Sequence, residues 1–101
     1  MTDFGLPQRT IDELLAYFNT KPFIQKVYIF GSRAKGTYHN GSDIDFAILT
    51  DDHKNCHRIC AELEDLPTPY KFDVIDYKNL THAGMKHSID TDGILFFERT
   101  K

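Results

Sequence analysis

Asp43 and Asp45 stand two residues apart in Ser42-Asp43-Ile44-Asp45-Phe46-Ala47-Ile48-Leu49, a stretch that alternates and then turns apolar, which is the pattern of a strand. Side chains alternate across a strand, so both carboxylates leave from one face while Ile44 points the other way into the core. Without a cation they repel, and one pKa climbs. A hard divalent ion such as Mg²⁺ removes the conflict, because it takes oxygen ligands and keeps waters and phosphates in its remaining positions. A third carboxylate is expected from the later strand Phe72-Asp73-Val74-Ile75-Asp76. The odd separation of Asp73 and Asp76 puts them on opposite faces, so one of them joins. Asp73 is taken as the third acid, with Asp76 as the fallback should a bulge reverse the register. Three such carboxylates can hold two metal ions about 3.5–4 Å apart, one activating an attacking hydroxyl and one supporting a leaving phosphate. That is the chemistry of phosphoryl or nucleotidyl transfer.

A turn upstream fits the same chemistry. Val27-Tyr28-Ile29-Phe30 reads as a buried strand that stops at Gly31-Ser32. A glycine lets backbone approach a triphosphate with no Cβ in the way, and a serine hydroxyl with nearby backbone N–H groups can bind phosphate oxygens. Gly31, Ser32, Arg33 and Ser42 are the candidate nucleotide-binding residues, with Lys35 a further basic group in the loop. The turn lacks the Gly-Lys-Ser/Thr ending of a P-loop, and no Gly-x-Gly-x-x-Gly occurs. His53, Cys56, His57 and Cys60 could suggest zinc, but both cysteines lie on the apolar stripe with Ile59 and Leu63 and read as core thiols.

The elements that must position these groups follow one another with short turns. Ile11, Leu14, Leu15 and Phe18 recur at helical spacing, so a helix is expected over about 8–19. Asn40-Gly41 reads as a turn before the second strand. Thr50-Asp51-Asp52 offers N-cap oxygens for a helix of about 53–65, stopped by Pro67 and Pro69. After the third strand a helix is expected over roughly 78–90, then Asp92-Gly93 as a turn and Ile94-Leu95-Phe96-Phe97 as a last strand. Alternation would turn one of Phe96 and Phe97 outward, and that face, with Tyr38 and Tyr70 as exposed aromatics, is a candidate partner surface. The order is α-β-β-α-β-α-β, an α/β (α+β) chain with a mixed sheet of about four strands flanked by helices.

Composition bounds the rest. The 101 residues make one domain, residues 1–101, with 13% aromatic and 27% charged. Twelve Lys and Arg against fifteen Asp and Glu give a net charge of −3, the wrong sign for gripping a long nucleic acid backbone. No apolar run approaches a membrane span, the first residues lack the character of a signal peptide, and Cys56 and Cys60 are too close along a helix to pair well, so a cytoplasmic protein is expected.

Gly31-Ser32, ten residues, Asp43-Ile44-Asp45 and a third Asp on a later strand resemble the nucleotidyltransferase superfamily with the DNA polymerase β-like palm. The version here, Gly31-Ser32-Arg33-Ala34-Lys35-Gly36 through Ser42-Asp43-Ile44-Asp45, looks most like its minimal nucleotidyltransferases (MNT). The resemblance implies a palm-like fold, two Mg²⁺ ions, use of ATP and release of pyrophosphate. It implies Asp43, Asp45 and Asp73 as metal ligands, with Asp73 helping to activate the acceptor hydroxyl. It further implies a helical HEPN partner, whose tyrosine receives AMP, so that the chain is an antitoxin. Three readings stand beside it: a partner-binding antitoxin without catalysis, nucleotidyl transfer to a small molecule, and RNA tailing. A homo-oligomer is left open.

Overall fold

The computed structural model describes residues 4–39, 41–50 and 56–99. The first helix, α1, runs Gln8–Asn19 as its apolar spacing requires, and buries Leu14 and Phe18. β1 (Ile24–Phe30) begins earlier than the apolar run suggested and ends at Gly31. A short helical turn, α2 (Ser32–Lys35), follows, which the sequence reading did not separate from the loop. Then come β2 (Ile44–Thr50), α3 (Cys56–Glu64), β3 (Phe72–Asp76), a 3₁₀ turn (Tyr77–Asn79), α4 (Ala83–Asp92) and β4 (Ile94–Glu98).

The four strands lie in the order β3-β2-β1-β4. β1 is antiparallel to both β2 and β4, and β2 is parallel to β3. Antiparallel neighbours need only short connections, whereas the parallel β2–β3 pair needs a crossover, which α3 supplies. One face of this mixed sheet carries Val27, Ile29, Ile44, Phe46, Ile48 and Phe72 against Leu14 and Phe18 of α1 and Ile59 and Leu63 of α3. Phe18 meets Phe46 edge-on at 5.3 Å between centroids, an arrangement favoured by ring quadrupoles. The other face carries a smaller cluster, Phe30 and Ala47 under Ile89 of α4. Among the described residues no helix is long and apolar enough to cross a membrane.

Several local expectations change. The helix expected over 78–90 does not begin until Ala83, because the chain first makes the 3₁₀ turn and then His82 caps α4, its Nδ1 accepting from Met85 N at 3.0 Å. Thr50 closes β2, and its hydroxyl donates to Phe23 O at 2.9 Å. Asp51, Asp52, His53 and Asn40, invoked for the α3 cap, for zinc and for the turn, lie outside the described residues. Cys56 and Cys60 are not joined in a disulfide and are half-buried, not fully in the core. Phe96 and Phe97 both pack on the main core, and Ile94 and Leu95 are the exposed pair. The reason is a register shift: Val27 pairs with Phe97 but Tyr28 with Leu95, so Phe96 is an extra residue that breaks the alternation.

Candidate active site

β1 ends with Phe30 paired to Asp45, so the turn at Gly31 opens beside the start of β2. Gly31 has φ 76° and ψ −153°, a backbone that L side chains rarely adopt. A Cβ there would also run into Asp45 Oδ2. Glycine is therefore required twice, for the backbone and for the carboxylate lying against it. Ser32 starts α2, and Gly36, at φ 83°, ends it.

The parallel register sets Asp45 directly beside Asp73. Asp43 precedes β2 on the same alternation, exposed like Asp73, while Asp45 is half-buried between them. Burial first, then the charges of Asp73 and Asp43, push the Asp45 carboxyl up to about 6, against a smaller opposing effect of Arg33. Asp76 is excluded from this group by register: it pairs with Ile48 and takes a hydrogen bond from Asn79 Nδ2 at 3.0 Å, about 10 Å up the strand. Among the described residues no three His, Cys, Asp or Glu side chains stand close enough to grip a metal ion as they are. In donor chemistry the acids nonetheless fit one, being oxygen ligands on adjoining positions whose like charges Arg33 offsets only in part.

Arg33 is placed otherwise than as a phosphate contact. It is 2% exposed. Its Nη1 donates to Phe4 O at 2.9 Å, and its Nη2 and Nε donate to Ser42 O at 3.0 and 3.3 Å. The rings of Tyr38 and Tyr70 lie 5.2 and 5.0 Å from it. These two tyrosines are thus half-buried flanks of a guanidinium and not the exposed aromatics expected. Ser42 is equally committed, its Oγ accepting from His39 N at 2.7 Å while its N–H donates to His39 O at 3.0 Å. Arg33 and Ser42 together tie the Gly31 turn to the residue before Asp43. Lys35 stays exposed, with Nζ 3.6 Å from Asp92 Oδ2 at the end of α4. Sequence reasoning missed the supporting roles of Phe4, Tyr38 and Tyr70, since nothing in their spacing links them to Arg33.

A family model described as polymerase beta, nucleotidyltransferase matches residues 12–101. The protein adenylyltransferase MntA of Shewanella oneidensis is 52% identical over 31 residues, which are 31% of this chain and 22% of that protein, so the likeness spans about a fifth of the relative's length. A structure of a tri-AMPylated Shewanella oneidensis HEPN toxin in complex with an MNT antitoxin superimposes with a TM-score of 0.68 at 19% identity, covering 91% of this chain and 72% of that one. A toxin–antitoxin structure with AMP-PNP gives a TM-score of 0.62 at 24% identity, covering 94% and 76%. At these identities the two structures establish the fold.

Proposed function

The chain belongs to the polymerase β nucleotidyltransferase family, and on that premise we propose that it moves AMP from ATP to a tyrosine hydroxyl of a HEPN-type helical partner, acting as the antitoxin of that pair. The observation that carries this reading is Asp45, half-buried against Gly31 with Asp73 beside it and its carboxyl raised by Asp73 and Asp43. A site with no use for a cation has no reason to crowd carboxylates in this way. The names of the similar proteins, an adenylyltransferase and an antitoxin on an AMPylated toxin, favour AMP and a protein acceptor.

In this reading Asp43, Asp45 and Asp73 would hold Mg²⁺, which when bound neutralises triphosphate charge and makes a coordinated hydroxyl a better nucleophile. Gly31 leaves room for phosphate oxygens to come down on the turn, and the Ser32 backbone and hydroxyl offer donors to them. Arg33 and Ser42 keep that turn in register with Asp43 and do not themselves touch phosphate. Asp73, exposed at the rim, accepts the proton of the incoming hydroxyl. The hydroxyl oxygen forms a bond to the α-phosphorus, the bridge to the β-phosphate breaks, and pyrophosphate leaves.

The test incubates the purified chain with α-labelled ATP and Mg²⁺, with and without the protein encoded beside it, and repeats this with Asp43→Asn/Asp45→Asn. Label on the neighbour that disappears in the double variant is the expected result. A tight complex with no label from any nucleotide would move the assignment to an antitoxin that works by contact alone.

A further inference from the structure

The Gly31-Ser32 turn is joined to the end of α4 by an ion pair, Lys35 Nζ to Asp92 Oδ2 at 3.6 Å. Local geometry brings the two partners to the turn from opposite sides. α2 is a single helical turn in which Lys35 stands three residues after Ser32, and so beside it on one side of the helix. Ile89 of α4 clusters with Phe30, the residue before Gly31, and Asp92 follows Ile89 by the same three residues. A triphosphate seated over Gly31 and Ser32 therefore arrives next to this pair.

The charges are arranged for exchange. Of the two basic residues in α2, Arg33 is buried on the Phe4 and Ser42 carbonyls, whereas the Lys35 side chain is 49% exposed and can move to a ligand. Asp92 closes α4, whose last turn also carries Asp90 and has no basic residue. Carboxylates there face the negative end of the helix dipole, which disfavours both. Tyr77 offsets this for Asp90 by donating a hydrogen bond, and Lys35 offsets it for Asp92. With the Asp92 side chain 31% exposed, water screens the Lys35 pair, and such pairs give only a weak net attraction. Triphosphate oxygens carry several negative charges close together, so they draw an ammonium more strongly than one half-screened carboxylate does.

We propose that Asp92 holds Lys35 off the phosphate position until a nucleotide arrives and takes Lys35 from it. Lys35 exchanges the Asp92 carboxylate for triphosphate oxygens. Asp92, left without its cation next to a polyanion, then loosens the last turn of α4. This role for Asp92 rests on the nucleotide-transfer reading above, and it gives the site a residue that lowers affinity and couples nucleotide binding to α4.

The test is a calorimetric titration of the full chain with AMP-PNP and Mg²⁺, run as a double-mutant cycle of wild type, Asp92→Asn, Lys35→Gln and the two substitutions together. Asp92→Asn is expected to bind about three-fold more tightly, the size of one broken exposed ion pair, and Lys35→Gln about ten-fold more weakly. In the Lys35→Gln background Asp92→Asn should change nothing, because no ammonium is left for it to hold. Hydrogen exchange gives a second readout at the Gly93 N–H, which donates to Ile89 O at the end of α4. Nucleotide should speed that exchange about three-fold in wild type and leave it unchanged in Asp92→Asn. Circular dichroism that matches the wild type shows that the variants fold. A gain from Asp92→Asn that persists undiminished without Lys35 is plain charge repulsion and overturns the exchange, as does Asp92→Asn binding no more tightly than wild type. Gly93 exchange in wild type that nucleotide slows or leaves alone overturns the loosening of α4. No binding of AMP-PNP by any of the four chains overturns the nucleotide reading itself.

Discussion

Replacing Gly31 by alanine brings two costs together, a left-handed backbone that a Cβ resists and a carboxylate where that Cβ must go. We expect Gly31→Ala to lose about 2 kcal/mol in urea unfolding, together with transfer activity. Asp45 predicts a pH dependence whose sign follows from its raised carboxyl. The folded chain binds this proton more tightly than the unfolded one, so the group favours folding at low pH, and that contribution is lost as pH rises through about 6. Asp45→Asn should therefore melt a few degrees above wild type at pH 8 without metal, with the gap closing toward pH 4; allowing for solvent screening it amounts to about 1 kcal/mol. A thermal melt series across pH, metal-free, reads this directly, and a gap independent of pH would count against the carboxylate cluster. Arg33→Ala should cost about 3 kcal/mol, since it leaves the Phe4 and Ser42 carbonyls without their donor and a void against Tyr38 and Tyr70. Arg33→Lys should recover little of it, because a single ammonium cannot reach both carbonyls and stack.

Among the elements, α4 depends most on one side chain. Its first turn is closed by His82, and His82→Ala should cost about 1 kcal/mol and speed hydrogen exchange at Met85 and Lys86 with α1 unchanged. Because Ile89 of α4 covers Phe30 and Ala47, fraying there loosens the strands that present Gly31 and Asp45. β3 contributes through register alone: a one-residue slip would turn Asp73 to the core side and bring Val74 beside Asp45. The crossover through α3 holds that register by burying Ile59 and Leu63 with Phe72 on the main core.

For the whole molecule, the consequence of an excess of acid is a response to cations. Mg²⁺ with a non-hydrolysable ATP analogue at about ten times its Kd should stabilise the folded chain by about 1.4 kcal/mol, some degrees in Tm, and Asp43→Asn/Asp45→Asn should abolish the shift. An equal shift in the double variant would place the nucleotide elsewhere. The general plan was legible in the sequence. Helix α1, the strands, the Gly31-Ser32 turn, and Asp43 with Asp45 on one side all follow from local rules, namely period 3.6, period 2 and the special backbone of glycine. What needed the tertiary structure depends on residues far apart in the chain. Asp73 rather than Asp76 stands by Asp45 because the β2–β3 pairing sets a register that neither strand encodes alone. Phe96 turns inward because β4 carries an extra residue against β1, and alternation cannot foresee a bulge. Arg33 is buried because Phe4, Ser42, Tyr38 and Tyr70 converge on it, whereas a basic residue read in its own loop is equally at home in water. Local periodicity thus determined which groups could do chemistry, and long-range packing decided which of them meet and which hold the others in place.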